Sequence, residues 1–425
     1  MMKNIPQQPW IPLVGLLAVL SSCGAEPAAA SAQSPGGAAV AAAPVLRPFE
    51  RDLLELAFTA ASAFPLDPHG KNRSRAQELV VVACFELEQP ELALAYGTRI
   101  ADWRRGCAYA DYAWAVAKRG ERAKALEYVA LAEGVVKAEA ENPHAQEWRR
   151  DLIALKIARV HGTLGDDAAA AKAAAGIDAN STHAVDGTFA ATAEDRLRRM
   201  DRAAAAAEFA AIDAGFATMT LGQQNTALGL LARLHEQFFA DRDLRTACEQ
   251  RVAVTWAKLL PGLRLDALAR MVRSNLAHGE PAAAKALVAT MRELVEAHRW
   301  RAEDRLPQVS RLIELTFAVG DVDRAKAAAN EALAAWHQER EGIVDIFRAE
   351  TLRPLALACF AIGERGKGEE LLALVLEEGM ENPNSRPRCD DLVETCVALC
   401  QRGIEPSAAA WARLREIQKG LGQPW

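Results

Sequence analysis

The sequence predicts an all-α protein, an α-solenoid of about nine stacked helix-turn-helix repeats. Three observations predict it. From about Arg47 onward Leu, Ala, Glu, Arg and Val dominate, and apolar residues recur at helical spacing with almost no strand-like alternation. Turn signals punctuate the pattern near Gln89-Pro90, Gly120, Gly165, Met200-Asp201, Ala240-Asp241, Gly279, Gly320, Gly363 and Gly403. Their spacing runs from 31 to 45 residues, mostly near 40, which is the length one hairpin of a stacked helical array consumes.

Taken in chain order, the first element is an apolar run, Ile11 to Leu20, behind a weak basic start at Lys3. About ten residues suits a signal-peptide core and is too short to cross a bilayer as a helix. Leu20-Ser21-Ser22-Cys23 follows directly. It resembles the lipobox of bacterial lipoproteins. The resemblance implies that residues 1–22 are a signal peptide, removed before Cys23, and that the Cys23 thiol carries lipid, with more than one acyl chain and palmitate among them. Each buried methylene contributes about 0.8 kcal/mol, so several chains hold a protein where one does not. Gly24 in place of Asp implies, by the same resemblance, the outer membrane with the domain facing the periplasm. The rival is a secretory cut after Ala30-Ser31-Ala32, twelve residues beyond Leu20 and awkwardly far from the apolar run.

Residues 23–47 comprise Cys23 and an Ala/Pro/Gly/Ser segment with one acidic and one basic residue. No periodic apolar face exists there, and Pro27, Pro35 and Pro44 interrupt its alanine tracts, so it reads as a flexible tether. Residues 48–425 form the repeat domain.

Its turns have a physical logic. Glycine closes the first helix of a pair because a left-handed residue carries no Cβ penalty there. The next residues are acidic, namely Glu121, Asp166, Asp201, Glu280, Asp321 and Glu364. Carboxylates suit a helix start, where unpaired N–H groups point outward. Alanine recurs five residues past the glycine (Ala125, Ala170, Ala284, Ala325) and seven before it (Ala113, Ala158, Ala356), so paired helices can approach closely. Residues 178–190 read as a longer loop between repeats.

These offsets resemble the tetratricopeptide repeat. The best copy runs from Tyr112-Ala113-Trp114 through Gly120-Glu121 and Ala125 to Tyr128, with Ala132 at the third alanine position of that family. Departures are plain. The family repeat is 34 residues and most spacings here are longer; Gly368 stands where alanine belongs; and the Met200 and Ala240 turns lack glycine.

Composition narrows function. Without residues 1–22 the chain carries 49 basic and 56 acidic residues, a net charge near −7, which speaks against a nucleic-acid partner. Of eight cysteines, removing Cys23 leaves an odd seven, so they cannot all pair; one disulfide from Cys389 to a helix cysteine is conceivable in an oxidising compartment. The cluster Cys389, Cys396 and Cys400 lacks a CxxC pair and a nearby histidine, and no metal is expected. His235-Glu236 opens like a zinc-protease helix, but Phe239 occupies the second ligand position. Gly366-Lys367 is followed by no Ser or Thr and fits a repeat turn, not a phosphate loop. Neither a catalytic residue nor a cofactor is expected.

A solenoid presents its first helices on an inner face suited to extended partners. The resemblance implies groove positions six residues before each turn glycine: Trp114, Arg159, Arg273, Glu314 and Leu357. Neighbouring candidates are Lys118, Leu276, Phe317, Arg353 and Phe360, with the alternative that Phe317 and Phe360 pack between repeats. The expectation is a lipid-anchored adaptor of the bacterial cell envelope that holds an envelope protein or peptide. A self-associating assembly component and a helical-toroid enzyme acting on an envelope polymer are the alternatives.

Overall fold

The computed structural model describes residues 45–177, 197, 200–255 and 260–425. The lipobox with Cys23, the linker up to residue 44 and the loop expected over residues 178–190 lie outside them. The described residues form eighteen α-helices and no strand. The N-terminal group is α1 (Pro48–Ala63), α2 (Gly70–Glu86), α3 (Pro90–Gly97), α4 (Arg104–Lys118), α5 (Arg122–Glu141), α6 (Glu147–Thr163) and α7 (Asp167–Ala174). Then come α8 (Arg202–Gly215), α9 (Leu221–Gln237), α10 (Arg242–Gln250), α11 (Pro261–Ala277) and α12 (Pro281–Ala297). The C-terminal group is α13 (Ala302–Ala318), α14 (Val322–Glu339), α15 (Asp345–Ala361), α16 (Arg365–Glu378), α17 (Ser385–Gln401) and α18 (Ala408–Lys419). No described helix is long and apolar enough to cross a membrane.

Eight of the nine expected turns join two described helices, and the ninth, at Asp201, opens α8. Six repeat one backbone device. Gly120, Gly165, Gly279, Gly320, Gly363 and Gly403 have φ between 61° and 87°. After each, the next amide bonds back to a carbonyl five residues earlier, as in Glu121 N to Val116 O at 3.1 Å and Glu280 N to Asn275 O at 2.8 Å. That is the Schellman cap, and it satisfies carbonyls that the helix end leaves open. The turn before Pro90 uses the same bond, Gln89 N to Cys84 O, with Glu88 in the left-handed region at φ 57°. Of the acidic residues that follow the turns, Asp166 and Asp201 accept side-chain bonds from Ala169 N and Ala204 N. Asp241 does the same for Leu244 N at the turn without glycine.

First helices pack on first helices along an inner row in which α9, α11, α13, α15 and α17 succeed one another, as do α2, α4 and α6. Second helices lie outside them. Helix α1 has no hairpin partner. It packs against both α17 and α2, so the array's two chain ends meet instead of standing apart as a simple stack requires. Phe49, Leu53, Leu54, Phe58 and Phe64 share one core with Leu392, Val393, Cys396, Leu399 and Leu414. The Phe64 and Trp425 rings lie 4.8 Å apart. Arg75 bonds Asp390 across the same junction at 3.0 Å.

The seven described cysteines are buried and unpaired. Cys389 Sγ donates to the Ala60 carbonyl at 3.2 Å, which corrects the disulfide considered for that residue. Its thiol and that of Cys400 lie against α1, where burial pushes both above the ordinary thiol pKa, Cys400 to about 12.

Gly368 has a packing reason. A Cβ there would lie 2.9 Å from carbons of the Phe360 ring. Phe360 occupies the space that alanine fills in the other hairpins, where Ala125, Ala284 and Ala325 are fully buried. Gly368→Ala gains at most about 1 kcal/mol of helix propensity but overpacks against a ring, at about 1–3 kcal/mol. We expect net destabilisation by chemical denaturation, reversed when Phe360→Leu is added.

Candidate functional site

The expected groove residues come together in two groups. On α4 and α6, Trp114 lies between two cations: Lys118 Nζ is 3.6 Å and Arg159 Cζ 3.9 Å from its ring centroid. Trp114 Nε1 donates to Thr163 Oγ1 at 3.1 Å. Asp111 then accepts from Arg159 at 2.6 Å and from Lys156 at 2.7 Å. Positions six before two successive turn glycines are therefore in direct contact, because adjacent first helices present them at one height.

The second group runs across α9, α11, α13 and the end of α17. Asp266, Arg270 and Arg273 follow helical spacing along one stripe of α11, each half-buried. Arg311 on α13 pairs with Asp266, and Glu314 one turn later accepts both guanidinium nitrogens of Arg402 at 2.9 and 3.0 Å. Arg273 lies within electrostatic reach of Glu314, Arg311, Arg402 and Arg270. Burial pushes the guanidinium pKa of Arg270 and Arg273 downward; the neighbouring Arg233 adds to this for Arg270, while Asp266 and Glu236 oppose it.

The other candidates go elsewhere. Leu276, Phe317, Leu357 and Phe360 are partly buried and pack against the cores between hairpins, the role given as the alternative for Phe317 and Phe360. Arg353 is corrected as an open groove residue: it is only 7% exposed and reaches sideways to α17. There it donates to Thr395 Oγ1, Glu394 and Asp391 at 3.0, 2.7 and 2.9 Å.

Counting back from turn glycines missed four arginines. Arg270 and Arg311 sit one helical turn before Arg273 and Glu314, so the i, i+3 stripe could have revealed them. Arg233 precedes a turn with no glycine, which left no origin to count from. Arg402 had no local signal, because only curvature of the row brings α17 to α13.

His235 is fully buried. Its Nε2 lies 2.8 Å from Glu249 and its Nδ1 3.2 Å from Ser274 Oγ, while Asn275 bonds the same Glu249 oxygen at 2.9 Å. Burial raises the Glu249 carboxyl pKa, but the bonds from His235 and Asn275 outweigh it and hold the group below its ordinary value. The network ties α9, α10 and α11 inside an apolar core. Phe239, at the would-be second metal position, stacks on His278 at 3.9 Å. Among the described residues no group of three His, Cys, Asp or Glu is placed to hold a metal.

A separate cleft of about 140 Å³ opens between α12, α13 and α14. It exists because α14 presents Ala328, Ala332 and Ala335 to it, and Trp336 closes one end. None of the expected groove residues lines it.

The Arg353 cluster makes a pH-dependent prediction. Burial raises Asp391, opposed by Arg353 and reinforced by Glu394, to about 7, and raises Asp390 to about 6. Between about pH 4 and 7 the folded state therefore binds more protons than the unfolded one, so stability falls as pH rises through that window. Arg353→Met removes the opposing cation. Urea unfolding should show a loss of about 3–5 kcal/mol at pH 8, and a clearly smaller loss at pH 5. Compared with known proteins, the chain matches no family model and no curated sequence.

Proposed function

We propose that this chain is a binding scaffold tethered to the bacterial envelope by lipid at Cys23, with the inner row of helices as its ligand-bearing face. The observation that carries this reading is the alignment of corresponding positions on successive first helices: Arg159 on α6 stacks on Trp114 of α4, and Arg273 on α11 faces Glu314 of α13. Within each group such positions form one surface shared by neighbouring hairpins, and aromatic and arginine side chains are the types that dominate interface energetics. The ligand on this reading is an envelope protein or peptide, and tethering adds local concentration to whatever affinity the face supplies. Self-association through the terminal repeats would need surface that α1 covers.

Pull-down from native envelopes tests the binding face. Trp114→Ala combined with Arg159→Ala should remove a partner captured by the unaltered chain while the helical circular dichroism persists; retention of the partner would sink the inner-face reading. The anchor has its own test. Thiol titration of the native protein should find no reactive described cysteine, since burial pushes Cys84, Cys107, Cys248 and Cys359 up, as it does those on α17. After denaturation an unlipidated chain that keeps Cys23 should titrate eight thiols; seven thiols with mass spectrometry placing the mature terminus at an acylated Cys23 mark lipidation, whereas seven with a free Gln33 terminus would refute it.

A further inference from the structure

The second arginine group has more positive charge than its surroundings match. Arg233, Arg270, Arg273 and Arg311 come from three helices and Arg402 from the turn after α17, and they stand near three carboxylates, Glu236, Asp266 and Glu314. Two of those carboxylates are already occupied, Asp266 by Arg311 and Glu314 by the Arg402 fork. Arg233, Arg270 and Arg273 make no hydrogen bond or ion pair among the described residues. All three are half-buried.

Half-buried guanidinium groups without partners are costly, and folded proteins ordinarily match them. Here three are left together. They are also held in a confined place: Arg402, after α17, reaches Glu314 on α13, two hairpins away and past α15. That contact sets the end of α17 beside α13, so Arg402 and Arg311 stand with Arg270 and Arg273 in one cluster. The stripe geometry of α11 aims Arg270 and Arg273 from one face, with Arg233 beside them on α9.

We infer that Arg233, Arg270 and Arg273 form a binding site for a compact multivalent oxyanion, of diphosphate or tricarboxylate chemistry. Arginine suits it because the planar fork offers paired donors to either oxyanion. A singly charged anion leaves most of the excess unmatched, and a ligand with two or more charges within a few ångströms meets all three groups at once. The lowered pKa of Arg270 and Arg273 fits the same picture, since an anion would relieve what burial imposes. This inference does not depend on the partner-binding reading.

Isothermal titration of the full chain with pyrophosphate and, separately, citrate tests it. Saturable binding of one equivalent of at least one of them is expected, and the stronger of the two identifies phosphate or carboxylate as the preferred chemistry. Arg270→Met and Arg273→Met should each weaken that binding at least tenfold, whereas Arg292→Met on the outer helix α12 should leave it unchanged. Without ligand the two methionine variants should melt no lower than the parent, because each removes an unmatched half-buried cation. If they fail to fold, Arg270→Lys and Arg273→Lys keep the charge, remove the fork and should still weaken binding severalfold. Absence of saturable binding by either anion, affinity indifferent to these substitutions, or tighter binding of hexaglutamate would each overturn the assignment. Partner capture that survives in the methionine variants would leave the scaffold reading intact.

Discussion

Every first helix in this array has two apolar flanks, and both must be covered. That requirement governs the fold. Inside the row each hairpin supplies its neighbours' cover, but the helices at the chain ends have only one neighbour in sequence. Repeat arrays ordinarily meet this with polar capping repeats. Here α1 does it, by lying between α17 and α2 and burying Phe49, Leu53, Leu54 and Phe58 against residues some 340 positions away. Each such side chain contributes about 1.5–3 kcal/mol on burial. The first and last hairpins are consequently parts of one core. Both ends of α1 are fastened to the C-terminal hairpin: Arg47 before it lies against Gly403, and Phe64 after it packs on Trp425.

Charge on the inner face follows from this packing. Helices drawn into a curved row bring side chains from distant hairpins together and partly exclude water from them. Where opposite charges meet, the result is a clasp: Arg353 with Asp391 and Glu394, or Asp111 with Lys156 and Arg159. Where like charges meet, the same exclusion leaves Arg270 and Arg273 without an ion-pair partner among the described residues. Acidic groups near α15 and α17 have raised pKa values, and these arginines lowered ones, for a single physical reason: burial disfavours the charged form of either kind.

The departures from the repeat pattern also have local causes. Glu88 takes a left-handed conformation that glycine takes elsewhere, and the cap forms regardless because the bond from Gln89 N is intact. Gly368 replaces an alanine because a phenylalanine ring already fills the space. Such exchanges keep the backbone geometry while the residues change, so the hairpins align in space more regularly than their sequences do.

The helical character and the turns were legible in the sequence, since apolar periodicity, a glycine with positive φ and a capping aspartate are each set within a few residues. Part of the candidate site was legible too. Trp114, Arg159, Arg273 and Glu314 follow from counting along one hairpin, because a helix surface repeats at fixed intervals. Arg402, the burial of Arg353 and the closure by α1 were not. Each depends on how strongly the row curves, and curvature is the sum of small rotations between hairpins that no single hairpin encodes. The sequence by itself determined what each repeat is; tertiary packing decided which repeats meet, and hence which charges lack a partner.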